Sequence, residues 1–190
     1  IVGVVAVADT VREKAKVAID ALHAQGIEQI VLLTGDHQTT ARAIAYELGV
    51  DAWQSDLLPE EKVEAIDALR EQYGNVAMVG EGVNDAPALA TASVGIAMGA
   101  AGTDTALETA DVALMADDLS KLPYLFELSR ASRRVIRQNV VASILIKAAL
   151  AAGVIPGVVS LIVAVLAGDM GAALGVTGNA LRLARVKTAV

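Results

Sequence analysis

The sequence predicts an α/β fold, a doubly wound parallel sheet covered by helices, followed by a two-helix transmembrane hairpin. Three observations carry that reading. Short apolar stretches rich in β-branched residues alternate with amphipathic helical stretches, the βαβ pattern of a parallel sheet buried on both faces. One such stretch, Asn75 to Val79, runs straight into the Gly-rich acidic loop Gly80-Glu-Gly-Val-Asn-Asp85, at the carboxyl edge where open α/β sheets bind ligands. From Val140 to Gly168 the only ionisable residue is Lys147, a run too long and apolar for a soluble helix, and Gly153, Pro156 and Gly157 split it into a hairpin.

The chain of 190 residues is 55% hydrophobic with a mean hydropathy of +0.54, yet its first half carries ordinary charged helices, so the excess apolarity lies in the second half. Without Cys, neither a disulfide framework nor a thiolate metal site can be built from this chain alone. A net charge of −7 argues against nucleic acid as a partner.

Taken in order, Ile1 to Val7 is an uncharged apolar strand with no start methionine or N-cap ahead of it, so the chain is expected to be a piece of a longer polypeptide. Val11 to Gln25 is an amphipathic helix with Val17, Ala18, Ala21 and Leu22 on its apolar side, ended by Gly26. Gln29 to Leu33 is a strand that leads into Thr34-Gly35-Asp36 and a helix from about His37 to Leu48, stopped by Gly49. A short strand over Ala52 to Gln54 precedes Pro59-Glu-Glu-Lys62, which opens a helix reaching Gln72. Further strands are expected at Asn75 to Val79, Val94 to Ala97 and Val112 to Met115, with Gly99-Ala-Ala-Gly102 as a loop on the phosphate side or a hinge. Leu119 to Arg130 is a charged helix that continues through Arg133, Arg134 and Arg137 into the apolar run as a stalk without a flexible linker.

This divides the chain into a cytoplasmic domain, 1–128, and a stalk with hairpin, 129–187, whose spans cover about 135–152 and 158–181. Arg130, Arg133, Arg134 and Arg137 gather at the start of the first span, Arg182, Arg185 and Lys187 follow the second, and the turn carries no charge. Basic residues stay inside, so residues 1–128 and the C-terminus are expected in the cytoplasm of a multi-pass cell-membrane protein, with the lipid bilayer as a partner.

Thr34, Lys62 and the Glu81 to Asp85 loop fall at strand ends or at a helix start beside them, and in a parallel sheet those ends converge. A hydroxyl and backbone N–H at Thr34 and Gly35, an ammonium at Lys62, and carboxylates at Glu81 and Asp85 suited to Mg²⁺ are what holds a phosphoryl group as its charge shifts. Each alone is a turn or a solvated helix start; the ordered set carries the argument. Here the sequence resembles the P-type ATPases, and within them the heavy-metal-transporting branch. The matching residues are Leu33-Thr-Gly-Asp36, the lysine of Pro59-x-x-Lys62, Gly80-Glu-Gly-Val-Asn-Asp-Ala-Pro-Ala-Leu89, and Ala8-Asp-Thr-Val-Arg12, similar to a hinge segment. The resemblance implies a haloacid dehalogenase-like, Rossmann-like phosphorylation domain ahead of the last two transmembrane helices of a pump. It implies that Thr34, Gly35, Asp36 and Lys62 serve the phosphoryl group, that Asn84 and Asp85 order the site, and that Glu81 with Asp85 binds Mg²⁺.

Two departures stand out. The family has Asp where this chain has Glu81, and one extra methylene moves the carboxylate by about 1.5 Å. The family's phosphorylated Asp-Lys-Thr-Gly-Thr motif does not occur in residues 1–190, so these residues alone are expected not to hydrolyse ATP.

Lys147 and Asp169 are the ionisable residues well inside the apolar spans, where such groups pair or serve transport. Counted from the turn, their depths differ by roughly 9 Å at helical rise, much of which a lysine stem spans. Gly168, Gly171 and Gly175 are expected to allow close helix packing beside Asp169. Zinc, cadmium and lead exporters of the family carry this lysine and an Asp-x-Gly, here Asp169-Met-Gly171, whereas cobalt-type members show His-Glu-Gly and copper pumps resemble the chain less. The resemblance thus implies an ATP-driven Zn²⁺, Cd²⁺ or Pb²⁺ exporter, with Asp169 binding the transported metal and Lys147 as counter-charge. ATP, the divalent metals, and the actuator domain, nucleotide domain and earlier helices of the same polypeptide are its implied partners. The alternatives are a non-hydrolysing metal-binding or regulatory homologue, a cobalt- or copper-type pump, or a soluble phosphatase that the hairpin disfavours.

Overall fold

The computed structural model describes residues 13–80, 84–99, 108–115 and 118–186. The expected strand at Ile1 to Val7, the hinge-like Ala8 to Arg12, Glu81 and most of the Gly99 to Gly102 loop lie outside them. The chain divides into two compact units, 1–122 and 123–190.

In the first unit α1 (Glu13–Ala24) turns Ala15, Ala18 and Leu22 inward at helical spacing. It is followed by β1 (Val31–Leu33), α2 (Gln38–Leu48), β2 (Ala52–Gln54), α3 (Pro59–Tyr73), β3 (Ala77–Gly80), α4 (Ala86–Thr91), β4 (Val94–Met98) and β5 (Val112–Leu114). Among the described residues, each element expected by period is present within a few residues of its expected bounds. The helix ends follow from local chemistry. Gly49 takes φ +75° and returns its N–H to the Ala45 carbonyl, the left-handed stop that lacks a Cβ penalty. At α3 the Glu61 carboxylate accepts the Leu58 N–H at 2.7 Å and Pro59 fills the first position, where no N–H is needed.

All described strands pair in parallel, β1 with β2 and β3 with β4 and β4 with β5. The expected doubly wound sheet therefore shows as two parallel sheets among the described residues, since no described strand pairs with both. They share a core: Ile66 of α3, Met78 of β3, Ala88 and Leu89 of α4 and Ala97 of β4 form one buried cluster, and Leu33 at the end of β1 and Val63 of α3 pack against it.

In the second unit the helix α5 runs unbroken over Lys121–Val154, into which Pro123 fits because it lies in the first turn. The turn is longer than expected. Gly157 has φ +76°, Val159 donates to the Gly153 carbonyl, and the Ser160 hydroxyl caps α6 (Leu161–Val165) by accepting the Val163 N–H at 3.3 Å. The expected single second span is in fact composite: α6 passes into a π-helical turn, Leu166–Gly171, then α7 (Ala172–Ala180) and a 3₁₀ turn, Leu181–Arg185. Both helical stretches are long and apolar enough to cross a membrane, and little of either is buried within the described chain.

Candidate functional site

Where β1 ends, the Thr34 N–H still donates to Gln54 at 3.0 Å, and the chain then turns. The Thr34 hydroxyl accepts the Asp36 N–H and donates to the Asp36 carboxylate, both at 3.1 Å, closing a tight loop. Two backbone bonds tie this loop to the approach of α3: Leu57 donates to the Thr34 carbonyl at 3.1 Å and Asp56 to the Asp36 carbonyl at 2.8 Å. Space at Gly35 is tight, since a Cβ there would stand 3.2 Å from the Leu57 carbonyl oxygen. The Gly35 N–H has no acceptor among the described residues, leaving a backbone donor beside the hydroxyl.

Asp56 holds this corner in a left-handed conformation, φ +56°. Its carboxylate caps α2 by accepting the Gln38 N–H at 3.2 Å and meets His37 Nδ1 at 2.7 Å. The hydrogen bond with His37 holds the Asp56 carboxyl below its ordinary range.

One turn into α3, Lys62 Nζ donates to Asp85 Oδ1 at 2.7 Å, with the two side chains 16% and 18% exposed. That shielding makes this charge-assisted bond stronger than an open surface pair. The Asp85 carboxylate lies back over the end of β3. A Cβ on Gly80 would come within 2.9 Å of both Asp85 Cβ and Oδ2, so only glycine admits this approach. Asp85 also starts α4, its carbonyl accepting the Leu89 N–H at 2.8 Å, and Leu89 sits in the shared core. Of the expected site residues the structure thus pairs Lys62 with Asp85 and Thr34 with Asp36. Asn84 is exposed and makes no hydrogen bond among the described residues, and Glu81 lies outside them.

In the hairpin Lys147 Nζ lies 3.1 Å from Asp169 Oδ1, and both side chains are more than half exposed. Asp169 sits in the π turn, a wider turn found in short pieces at functional positions. Gly168 is buried and a Cβ there would meet Leu150 Cδ1 at 3.3 Å, so it does permit close packing. A Cβ at Gly171 or Gly175, expected to do the same, would meet nothing within 4 Å. Periodicity also passes over a polar lock between the helices. Asn179 donates to Asn139 Oδ1 at 2.8 Å and more weakly to Gln138, Asn139 reaches the Val176 carbonyl, and Arg182 donates to Asn179 Oδ1 at 3.1 Å. Two asparagines within apolar spans were the available signal, since amides there bond across helices. Among the described residues no three His, Asp or Glu side chains come together as a metal cluster.

Residues 1–93 match the haloacid dehalogenase-like hydrolase family. The cadmium-transporting ATPase of Staphylococcus aureus is 54% identical over 187 residues, 98% of this chain and 26% of that protein. The manganese-exporting P-type ATPase of Mycobacterium leprae is 48% identical over 149 residues, 78% of this chain and 21% of that protein. A crystal structure of a zinc-transporting PIB-type ATPase in an E2·Pi state superposes with a TM-score of 0.83 and 47% identity, covering 92% of this chain and 28% of that one. The chain therefore spans about a quarter of the length of the curated relatives it matches. Aligned over 98% of its length with such proteins, the chain belongs to the P-type ATPases and is similar to metal-transporting members of that family.

Proposed function

We propose that this chain forms the phosphate-handling site and terminal membrane hairpin of an ATP-driven exporter of Zn²⁺, Cd²⁺ or Pb²⁺ that works through an aspartyl phosphate formed outside residues 1–190. The observation that carries it is the Lys147–Asp169 pair, 3.1 Å apart on an apolar hairpin, in the same chain as the Lys62–Asp85 strand-end site. At the cytoplasmic site the Thr34 hydroxyl and Gly35 N–H donate to phosphoryl oxygens, and Lys62 offsets the charge that develops there. Asp36 orients the Thr34 hydroxyl, Asp85 orients Lys62, and Asn84 orders the loop. Mg²⁺ fits as far as the described residues reach: Asp85 spends Oδ1 on Lys62, and Oδ2 with Glu81 would supply the one or two carboxylates this ion takes beside phosphate. Bound with ATP, Mg²⁺ supplies charge neutralisation at the phosphates.

In the hairpin an ionised carboxylate at mid-bilayer needs compensation, by Lys147 in one state and by the transported dication in another. Both heads are exposed on the hairpin, a face that lipid would penalise, which favours cover by earlier helices of the same polypeptide. The charge pattern supports a multi-pass cell-membrane protein with residues 1–128 and the C-terminus in the cytoplasm. A 98% alignment with cadmium transporters includes the hairpin, whereas the manganese exporters align over 149 residues, which favours the zinc and cadmium group. The second reading, a non-hydrolysing metal-binding homologue, has Glu81 in its favour.

Full-length Asp169→Ala is expected to abolish metal-stimulated ATPase activity and to keep phosphorylation from inorganic phosphate. Lys147→Ala is expected to keep metal binding and slow release. Normal Zn²⁺ stoichiometry and turnover in Asp169→Ala would reduce the pair to a helix tether, and a wild-type protein without metal-stimulated turnover would establish the second reading.

A further inference from the structure

We propose that the end of the hairpin opposite its turn binds the headgroup of one anionic phospholipid. The inference rests on the membrane orientation proposed above. A cleft of about 150 Å³ opens there, lined by Arg134, Val135 and Gln138 of α5 and by Arg182, Leu183 and Val186 where the second stretch ends. At roughly 10–15 Å³ of comparable space for one water, it admits a group of several heavy atoms such as a phosphodiester.

Among the described residues the charge of the cleft is uncompensated. Among the described residues of the hairpin unit the carboxylates are Glu127 and Asp169, and Asp169 is engaged with Lys147. Arg134 makes no ion pair among the described residues. Arg182 is oriented but not neutralised: its guanidinium donates to the neutral amide of Asn179, which Asn139 holds at 2.8 Å. Two arginine forks, one of them pre-set by a neutral network, suit the oxygens of a phosphate.

Position and lining favour a lipid over a free anion. Arg134 immediately precedes the first expected span and Arg182 immediately follows the second, so both stand at headgroup level in the leaflet where anionic lipids concentrate. Val135, Leu183 and Val186 give the same cleft an apolar wall, which a soluble phosphate does not use but a glycerol backbone and first acyl carbons do.

The test reconstitutes the full-length protein in phosphatidylcholine with phosphatidylglycerol, exchanges it into detergent and counts retained lipid by native mass spectrometry. The wild type is expected to retain one phosphatidylglycerol in clear preference to phosphatidylcholine, and equal retention of the two overturns the proposal without any variant. Arg134→Gln with Arg182→Gln is expected to lower retention roughly fivefold for each arginine removed, and Arg134→Lys with Arg182→Lys to keep most of it. Arg130→Gln with Arg133→Gln, outside the cleft, should match the wild type; loss equal to that of the cleft pair would assign the effect to bulk surface charge. Displacement of the lipid by millimolar inorganic phosphate would assign the cleft to a free anion. Labelling of Ile155→Cys by an impermeant maleimide reads the orientation separately, so a turn found on the cytoplasmic side overturns the topology while the lipid count judges the cleft.

Discussion

Lys62, Asp85 and Gly80 act as one device, because the carboxylate that fixes the lysine head can lie over the strand end only where no Cβ stands in its way. Gly80→Ala is therefore expected to push Asp85 off Lys62 and to lower phosphoenzyme formation in the full-length protein by about 10²–10³-fold, the loss typical of one misplaced charge-stabilising group. Quench-flow phosphorylation at the normal rate would show that the pair is not needed in that geometry. Asp56 carries a pH signature. Its carboxyl is held low by the His37 hydrogen bond, so the capping it gives α2 is fully present above the ordinary carboxylate range and is lost as pH falls through the lower folded value. NMR titration should find Asp56 below the usual aspartate range and returning to it in His37→Ala; an unchanged titration in that variant would remove His37 as the cause.

At the scale of elements, α3 and α4 are seated on the strand ends by a small core in which Leu89 and Ile66 are almost wholly buried. Lys62 precedes Val63 of that core, and Asp85 begins the helix that Leu89 anchors, so packing fixes where both charges point. Leu89→Ala is expected to cost about 2–5 kcal/mol through lost burial and a residual cavity. Urea unfolding followed by Trp53, the single tryptophan, measures it, and a loss below about 1 kcal/mol would mean that α4 is held by its loop bonds and not by the core. In the hairpin, Asp169 lies in the π turn with its carboxylate 3.1 Å from Lys147, whereas a Cβ at Gly171 or Gly175 would meet nothing within 4 Å.

For the whole molecule, the chain joins the proposed phosphate site to two helices long and apolar enough to cross a membrane, yet contains no Asp-Lys-Thr-Gly-Thr sequence. The 190-residue chain on its own is accordingly expected to hydrolyse no ATP, with or without Zn²⁺, in a coupled phosphate-release assay. Turnover above background would place the phosphorylated carboxylate within these residues and displace the proposed division of labour. The charge is also divided by region, arginines crowding the hairpin's open end within a chain of net charge −7.

By itself the sequence determined the alternation of strands and helices, the position of Thr34, Lys62 and Asp85 at strand ends or at helix starts beside them, and the lysine and aspartate well inside the apolar spans. These are legible because apolar period, glycine stops and the cost of charge in hydrocarbon are written locally along the chain. Which groups touch was decided only in three dimensions. Thr34 turned to Asp36, Lys62 to Asp85 across 23 positions, and Asn139 to Asn179 across 40. The π turn, the longer hairpin loop and the cleft at Arg134 and Arg182 likewise depend on how one helix packs against another, and a difference of one residue in a turn changes the facing set. Side-chain partners are chosen over a few ångströms of approach that packing sets, and no period in the sequence records that distance.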